Sequence, residues 1–537
     1  MEHLLMLLKD TMQSVKDAYY VYCTSSLYLA IPFLALLYLF SSLKKKSEYS
    51  RQDKMILWLT ALLIFVIVFP ITAWFIIKYC VGAYTYRRLF WMIPVPIIAA
   101  YVATRIVTEE TTRLRKVVVA AALAAIVIVL YPGMYTPDNF AKASEPYKIG
   151  VNPIAVGDAL EQDALEQGME QIRAIVPNDL TLRLREYDAA IIMPYGRDAI
   201  EGQNKNKLAM RIYNIVNAEQ LDAQTLAFYA KRGNYSYLAY WSDDAAKEEL
   251  LAAGYDFVTV AGDYYIYRLN MEAVSDILIT QYGQNDGNQV NFYTIETIKG
   301  KLIVVDGGFE TDEQYVRDVL ASKGNCVNAW ILTHYHQDHV GAFCNIYKNP
   351  GGIKIGRIFA VKMESLDRYV ENAKWDETYT VECFRNLGVE NIKYLHAGDE
   401  RRIAGVPIKV LNAEDDYVDE ISNDLHNDGS LMFKVYGKTE SMLFCADVGK
   451  RMSNWIIEHY GDDLPSDYLQ MGHHGNGGLS EKFYRMVQPK VAFFDAPAWL
   501  FDDTEGKYTS AENRAIMEDM GARIYSFEGA PHTIQLH

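Results

Sequence analysis

Residues that could bind metal ions are concentrated in one short stretch of this 537-residue sequence. Within "LTHYHQDHVGAF", a His-x-His pair is followed at once by an Asp-His pair: His334, His336, Asp338 and His339. Where a His-x-His pair leaves a strand, both imidazoles lie on one side of a tight loop and can hold one divalent ion. The Asp-His pair can turn toward a second ion nearby. The stretch therefore predicts a two-metal site.

Apolar strands are expected to carry this cluster and two further aspartates. The run Asn328–Leu332 leads directly into the cluster, "KLIVVDGG" ends in Asp306, and "SMLFCADVG" carries Asp447 at its end. A site for two ions needs a carboxylate that both can share. Asp447, at the end of its strand, is well placed to be that bridge.

Two later segments offer more candidate side chains. "SDYLQMGHHGNGG" leads from a strand to His473 and His474 in a glycine-rich turn, where backbone and imidazole can approach a substrate closely. Between the two main clusters, "LHNDGSLMFKV" offers His426, Asn427 and Ser430 just before another strand. Ten of the 11 histidines fall in the last 204 residues, so the predicted chemistry belongs to this part of the chain.

Together these motifs resemble the metallo-β-lactamase superfamily over roughly residues 276–537. Their order is similar to that of the metallohydrolase domain of competence DNA-uptake proteins and of phosphorylcholine esterases. The competence relatives begin this domain with a Gly-Gln-Gly-Asp turn, whereas this chain has "YGQNDGNQVNF". The resemblance implies an α/β fold, an αββα sandwich, and a metal-dependent hydrolase that uses two divalent ions, Zn²⁺ or alternatively Mn²⁺.

The resemblance also implies a role for each candidate residue. The superfamily's usual third histidine has no clear counterpart, and His426 is the nearest candidate, with His396 as the other. Asn427 and Ser430 are extra ligands or substrate contacts. Asp306 orients the histidine loop by hydrogen bonds. The first ion takes His334 and His336, the second takes Asp338 and His339, and Asp447 bridges them. One of His473 and His474 completes the second ion's ligands; His474 is favoured, which leaves His473 to face the substrate as proton donor or phosphate contact. Asp338 and His473 are the catalytic residues.

Several reactions are open to such a site. Two bridged cations lower the pKa of a shared water, which can then attack phosphorus or an acyl carbon. A phosphodiester is favoured because its two nonbridging oxygens can each meet a cation. The alternatives are a lactonase or β-lactamase type of hydrolase, and a degenerate fold that binds or senses a cell-envelope polymer.

The first 137 residues read as a membrane region of about four helices. A span needs about 20 apolar residues. The third stretch is short, contains two prolines and reaches this length only if Arg105 snorkels to the membrane surface. The four stretches are Ala18–Leu43, Met55–Ile77, Leu89–Thr104 and Val117–Pro137.

Charge predicts the surroundings of the chain. Residues 1–132 hold 14 Lys and Arg against 7 Asp and Glu, whereas the remainder holds 38 against 61. Loop cations favour the first two loops inside the cell. We therefore expect a multi-pass protein of the cell membrane, with the lipid bilayer as a partner and soluble domains outside the cytoplasm. The excess of acidic residues after residue 132 argues against a broad nucleic-acid-binding face. The expected partner is an ester or phosphodiester substrate, such as an envelope polymer.

Residues 138–270 read as a small α/β domain outside the cytoplasm, and residues 271–537 as the hydrolase domain. Periodicity in the middle segment predicts helices at 156–175, 207–216 and 244–253. Strands are expected at 189–193, 235–240, 257–260 and 264–267. The segment has no histidine and no glycine-rich phosphate loop, so we expect a spacer or recognition domain.

Overall fold

A computed structural model describes residues 2–23, 30–44, 50–130, 149–284, 287–372, 378–527 and 530–537. The chain divides into two compact units, Met1–Ser144 and Glu145–His537. Each unit is described by itself below. The sequence-based division into three domains stays a prediction, because the middle segment and the C-terminal sheets lie within one compact unit.

The first unit is helical. An aspartate and an arginine lie within it on separate helices, with Asp53 fully buried and Arg105 at 5% exposure. One guanidinium nitrogen of Arg105 donates to both carboxylate oxygens of Asp53 at 2.8 Å. Arg105 therefore bonds inside the helical unit, and the expectation that it reaches a membrane surface was wrong. The α-helices are α1 Glu2–Cys23, α2 Ala30–Lys44, α3 Ser50–Val68, α4 Pro70–Ile76, α5 Gly82–Tyr86, α6 Val95–Thr108 and α7 Arg113–Leu130.

Four membrane spans are not supported in the part of the chain that the structure describes. One helix, Arg87–Thr108, is long and apolar enough to cross a membrane, and it contains the predicted third span. A second candidate is a pair, Arg51–Val68 and Pro70–Val81, bent by 70°. The bend falls at Pro70, because the residue before a proline is driven out of helical geometry. The first and fourth predicted spans extend into residues outside those described.

The second unit begins with a four-stranded sheet of order β1-β2-β4-β3, flanked by helices. Two predicted helices were found close to their expected bounds, at 207–216 and 244–252. The predicted strand at 189–193 was wrong, since this segment makes only the isolated bridge Arg173↔Ile192 in the described residues. The elements are α8 Val151–Glu166, β1 Ala174–Ile175, α9 Asn178–Tyr187, α10 Arg197–Ile200, α11 Lys207–Val216, α12 Ala223–Gly233, β2 Tyr237–Trp241, α13 Asp244–Ala252, β3 Tyr255–Ala261 and β4 Tyr264–Leu269.

The remainder of this unit alternates strands and helices, as the resemblance implies. The strands are β5 Ile277–Gln281, β6 Phe292–Thr297, β7 Leu302–Asp306, β8 Cys326–Leu332, β9 Lys354–Ala360, β10 Ile392–Tyr394, β11 Glu400–Ile403, β12 Val406–Asn412, β13 Met432–Tyr436, β14 Ser441–Phe444, β15 Tyr468–Gln470, β16 Val491–Phe494, β17 Arg523–Ser526 and β18 His532–Leu536. The helices are α14 Glu313–Ser322, α15 Gln337–Lys348, α16 Leu366–Asn372, α17 Tyr379–Asn386, α18 Asp416–Ile421, α19 Leu425–Asp428, α20 Ser453–Tyr460, α21 Glu481–Val487, α22 Ala498–Asp502 and α23 Ser510–Asp519.

These strands form two seven-stranded sheets. The order is β10-β9-β8-β7-β6-β5-β18 in the first and β11-β12-β13-β14-β15-β16-β17 in the second. Strands β7, β8 and β9 are mutually parallel, and so are β14 to β17. The carboxyl ends of neighbouring parallel strands open onto the same edge of a sheet. The loops that follow these strands are therefore the ones that carry the site.

One continuous hydrophobic core joins the two sheets. It contains Trp330 of the first sheet and Phe433 of the second, both fully buried. Tyr293 and Phe444, one from each sheet, meet edge to face with ring centroids 5.2 Å apart. Each sheet thus buries one face against the other. The α/β fold with two facing sheets agrees with the sequence-based prediction for this part of the chain.

Candidate metal centre

The histidine cluster lies where β8 ends and α15 begins. A close approach sets this loop: a Cβ on Gly341 would lie 2.5 Å from the backbone nitrogen of Glu310, so only glycine fits there. Ala342 also donates its backbone N–H to the Gly308 carbonyl at 3.0 Å. The two glycines therefore let the first turns of α15 dock on the loop after β7, which holds Asp306 beside the cluster.

The six predicted ligands lie together in two groups. The ligand atoms within each group are all within 4.8 Å of one another. Asp447 links the groups: its Oδ1 lies 3.2 Å from His339 Nε2 and its Oδ2 lies 3.9 Å from His334 Nε2. The first group is His334, His336 and Asp447, and the second is Asp338, His339 and His474.

Asp306 fixes the ring of His339. Its Oδ2 is 2.8 Å from His339 Nδ1, and the same carboxylate accepts the backbone N–H and the hydroxyl of Thr333. A carboxylate without a proton can only accept, so Nδ1 of His339 carries the hydrogen and Nε2 presents a lone pair to the site. This is the orienting role that the resemblance implies for Asp306.

His474 is held in the same way from the second sheet. Its Nδ1 donates to the backbone carbonyl of Asp495 at 2.9 Å, which leaves Nε2 as the acceptor. Nε2 faces Asp338 Oδ2 at 3.0 Å, and Oδ2 of Asp447 at 3.5 Å. Acceptor atoms thus face one another across the centre, and they need a proton or a cation between them.

A buried amide connects the supports of His474 and Asp447. Gln470 donates to the Asp495 carboxylate at 2.9 Å. Its own side-chain oxygen accepts the backbone N–H groups of Cys445 and Ala446, both at 2.8 Å. Since Ala446 directly precedes Asp447, Gln470 ties the position of the Asp447 carboxylate to that of His474.

Electrostatics agree with this geometry. Burial acts to raise the pKa of Asp447, but His339 and His474 hold it well below its ordinary value. Burial acts to lower the pKa of His474, but Asp447 and Asp338 raise it to about 10. Burial, together with His339, holds the pKa of His334 well below its ordinary value, so that imidazole is neutral at pH 7. The centre is thus an anionic cavity that favours positive charge.

The donor set fits divalent metal ions. Within the described residues, three buried atoms of the cluster, His339 Nε2, Asp447 Oδ1 and His474 Nε2, face no hydrogen-bond donor while both rings are neutral. Leaving such atoms unpaired in a core costs about 1–3 kcal/mol each. A bound cation removes this cost, and imidazole nitrogen with carboxylate oxygen is the ligand mixture that Zn²⁺ accepts. The assignment of individual ligands stays a prediction.

Both candidates for the third histidine form hydrogen bonds outside the two ligand groups. His426 stacks on Tyr369 with ring centroids 4.4 Å apart, and its Nε2 accepts the backbone N–H of Tyr335 at 3.2 Å. Its ring lies 3.9 Å from that of His336, so it borders the first group without offering Nε2 to it. His396 bonds Asp415 at 2.6 Å instead.

Two further candidates are committed to local hydrogen bonds. Ser430 donates its hydroxyl to the backbone carbonyl of Asn427 at 2.6 Å, and Asn427 donates its amide to Asp424 at 2.9 Å. These bonds position the turn after α19. The extra-ligand role of Asn427 and Ser430 therefore remains untested.

His473 is more open than the buried ligand candidates beside it. Its side chain is 37% exposed and its Nε2 lies 3.8 Å from Asp447 Oδ2. His473 and His474 both have positive φ, at 50° and 57°, so two neighbouring imidazoles serve different sides of one turn. Gly475 next to them has φ of 89°, and a Cβ there would overlap Phe494.

Sequence reasoning missed Thr333, Gln470 and Asp495. All three are buried and support ligands through hydrogen bonds. A signal was present for two of them. Gln470 interrupts the apolar run "YLQM", and Asp495 ends the apolar run "VAFF", and a polar residue within a buried strand needs a specific partner.

Comparison with known proteins agrees with the fold and the motifs. Residues 285–493 match the family model "Metallo-beta-lactamase superfamily", so this part of the chain is a domain of that superfamily. The chain is 27% identical over 168 residues to "Beta-lactamase-like protein 2 homolog" of Caenorhabditis elegans, a match that covers 30% of this chain and 50% of that protein. The chain therefore spans half the length of this curated relative.

Similar solved structures include the metallo-beta-lactamase fold protein YhfI of Bacillus subtilis. It has 10% identity and a TM-score of 0.31, and the match covers 48% of this chain and 99% of that one. Another is CmlA, a diiron beta-hydroxylase of Streptomyces venezuelae, with 14% identity and a TM-score of 0.33, covering 49% of this chain and 54% of that one.

Proposed function

We propose that the metallo-beta-lactamase superfamily domain of this chain is a metal-dependent hydrolase that cleaves a phosphodiester or a related ester. The observation that carries the proposal is the convergence of six histidine and aspartate side chains in two adjacent groups, with the ligand atoms of each group within 4.8 Å of one another. A fold that needed these groups only for stability would satisfy them within the protein. Divalent cations held here would lower the pKa of bound water and neutralise charge on a substrate oxygen.

The residues of the chain then divide the work. Asp306 and the Asp495 carbonyl keep His339 and His474 in the tautomer whose Nε2 faces the centre. His473, half outside the cluster, can approach a substrate that enters from solvent and give a proton to the leaving group. Asp338, at 14% side-chain exposure, lies between the buried ligands and the opening.

A phosphodiester suits the centre better than a single carbonyl group. It carries a negative charge and two nonbridging oxygens, while the centre presents two adjacent ligand groups linked by Asp447. Lactones and β-lactams offer one such oxygen, so we treat their hydrolysis as the alternative. The order of the motifs, similar to competence-type and phosphorylcholine esterase domains, supports the same choice.

We further propose that the apolar N-terminal unit attaches the enzyme to a membrane. The support is the helix Arg87–Thr108, which has the length and composition of a span, and the basic balance of residues 1–132. The substrate would then be an ester at the membrane or in the cell envelope. Fractionation of cells into membrane and soluble parts tests this; recovery in the soluble part without detergent would contradict it.

The activity test uses the full-length chain in detergent, loaded with Zn²⁺ or Mn²⁺. We expect hydrolysis of bis(p-nitrophenyl) phosphate, with much slower turnover of a lactone and of a chromogenic cephalosporin. Metal content is measured on the same sample. Protein that holds metal but is inactive on phosphodiesters removes the proposal. Protein that holds no metal yet binds envelope polymer would instead identify a binding module.

A substitution at His473 tests whether this side chain is catalytic or structural. His473→Gln is expected to reduce turnover of a dialkyl phosphodiester, whose alkoxide leaving group needs a proton, about 100-fold while metal content stays at the wild-type level, because general acid catalysis contributes roughly 10²–10⁴-fold. His459→Gln is the matched control, since His459 stacks on Trp455 away from the cluster. A substrate whose leaving group needs no proton should rescue the first variant.

A further inference from the structure

A second concave site lies on the hydrolase domain, between the edges of its two sheets. It is a groove of about 740 Å³ lined by residues of β8, β9, β10 and β11. Strands β10 and β11 are the outermost strands of the two sheets on the same side of the sandwich. The groove therefore lies between the two sheets, at the side of the sandwich where β10 and β11 are the edge strands.

Three cations line this groove and no acidic residue does: Arg357 on β9, Lys393 on β10 and Arg402 on β11. All three are exposed, and among the described residues none of them forms a salt bridge. In the described part of the chain, the side chains of the three make one hydrogen bond, from Arg402 to the Gly405 carbonyl at 3.3 Å. Three positive charges without counter-charges are unusual in a chain whose net charge is −16.

The strand register fixes how these charges are spaced. Lys393 is paired with Phe359, two residues from Arg357 on the neighbouring strand. Residues two apart on a strand share one face, so Arg357 and Lys393 lie on the same face of the sheet. Arg402 belongs to the other sheet, and facing sheets are separated by about 10 Å. The cations thus surround a space that suits an anion with several charged groups.

The groove has polar donors as well. Asn328 accepts the backbone N–H of Leu302 through its side-chain oxygen at 3.0 Å, which leaves its amide hydrogens available at the groove wall. Gly356, in the same wall, has no room for a side chain, because a Cβ would lie 2.4 Å from the Asn328 carbonyl oxygen. At Gly356, therefore, no side chain narrows the groove.

The groove is separate from the metal centre. Arg357 precedes the carboxyl end of β9 by three residues, about 10 Å of strand, and the metal-ligand candidates follow the carboxyl ends of the parallel strands. No residue of the two ligand groups lines it. What it binds is thus independent of the proposed hydrolysis.

We propose that this groove binds a small anion with several phosphate groups, held by Arg357, Lys393 and Arg402. Arginine matches phosphate with two parallel N–H donors, and lysine adds a point charge. A single phosphate can meet only one or two of the cations, whereas a triphosphate has the charge and the length to meet all three. Bound there, it would join the edges of the two sheets.

The test is calorimetric titration of the full-length chain in detergent with inorganic tripolyphosphate, with sulfate at equal ionic strength for comparison. The variant Arg357→Ala/Lys393→Ala/Arg402→Ala is compared with Lys348→Ala/Lys354→Ala/Lys482→Ala, which removes three exposed cations outside the groove. We expect the wild type and the control to bind tripolyphosphate and the groove variant to bind at least tenfold more weakly. ATP in place of tripolyphosphate shows whether a base is tolerated.

The same titrations in an Asp447→Asn background separate the groove from the metal centre. The tenfold difference between groove variant and control should persist there, whether or not the chain proves to be a hydrolase. Equal binding by groove variant and control overturns the proposal. So does wild-type binding of sulfate as tight as that of tripolyphosphate, and so does a difference that disappears when Asp447 is replaced.

Discussion

Two buried charged clusters of the second unit differ in how completely their charges are paired. Around Glu296, Lys323 forms an ion pair, Arg211 lies at 3.5 Å and Tyr229 donates at 3.0 Å. These partners come from α11, α12 and the residue after α14, so the cluster joins the middle segment to the first sheet. In the candidate metal centre, by contrast, the carboxylate of Asp447 and the neutral ring of His474 present acceptor atoms to one another, at 3.5 Å.

The difference shows which cluster is for stability and which is for binding. Burial acts to raise the pKa of Glu296, but Lys323 and Arg211 lower it, so the carboxylate is charged and compensated by the protein alone. In the candidate metal centre, the buried carboxylate charge is compensated only by a proton or a cation taken up from solvent. Buried polar groups that the fold leaves unpaired are thus the better indication of a binding site.

The largest expected effect comes from breaking the paired cluster. Glu296→Ala leaves Lys323 buried without its counter-charge and should lower the free energy of unfolding by about 3–5 kcal/mol. Chemical denaturation of the full-length chain measures this. Glu313→Ala, which removes a partly exposed partner of Arg317, is the control and should cost below about 1 kcal/mol. Similar losses in both would show that the Glu296 cluster contributes no more than a surface pair.

Breaking the unpaired cluster should affect binding and turnover instead. Asp447→Asn removes the carboxylate that links the two ligand groups, so phosphodiester turnover should fall at least about 100-fold, roughly 2.7 kcal/mol, and metal content should fall with it. Metal analysis and initial rates measure both. Asp519→Asn, an exposed partner of Arg485, should change neither. Full metal content with full activity in Asp447→Asn would refute the bridging role.

The support behind the ligands should have an intermediate effect. Gln470→Met keeps the volume but removes the bonds to the Asp495 carboxylate and to the backbone before Asp447. Metal affinity should fall about 10–100-fold, because residues that orient ligands are worth that much. Competition with a metal-binding dye gives the affinity. Unchanged affinity, with a lowered unfolding free energy, would leave Gln470 a purely structural role.

A third way to bury a carboxyl is to keep it protonated, and Glu414 shows it. Burial, with Glu364 and Asp419 nearby, raises its pKa to about 8. In the unfolded chain the proton leaves at an ordinary pKa near 4.5, so stability from this group is present below that value and is lost as the pH rises toward 8. The contribution of Glu414 to the unfolding free energy should fall by about 1.4 kcal/mol per pH unit between about pH 5 and 8.

Glu414→Gln tests that slope, because an amide of the same shape does not titrate. Its unfolding free energy should depend less on pH over this range than that of the wild type. Glu390→Gln, at an exposed position, is the matched control and should keep the wild-type slope. Identical slopes in the wild type and in Glu414→Gln would show that the carboxyl is already ionised at pH 5.

Much of the site could be predicted because its residues follow strands. Apolar runs that lead to His334, Asp447 and His474 predicted the strands. They also predicted that these residues converge, since neighbouring parallel strands end at one edge of a sheet. Gln470 and Asp495 could not be assigned roles, because their partners depend on how strands distant in sequence pair and pack. Asn427 and Ser430 were chosen by proximity in the chain, and their hydrogen bonds turned out to be local.

The helical and middle regions show where patterns are weaker. The helix over 207–216 was predicted well because Asn206 caps it and its apolar residues recur on one face. The strand expected at 189–193 was wrong because, in the described residues, this segment pairs at one position alone, Ile192 with Arg173 just before β1. In the first unit, hydropathy alone could not show that Arg105 pairs with Asp53 on another helix.

The turn that holds His473 and His474 limits how this domain could be redesigned. Two consecutive non-glycine residues with positive φ cost roughly 1–2 kcal/mol each, which the surrounding contacts must offset. Insertion or deletion of one residue there would exchange the inward and outward imidazoles. New specificities are therefore easier to obtain by changing the walls around the opening than by altering the length of this loop.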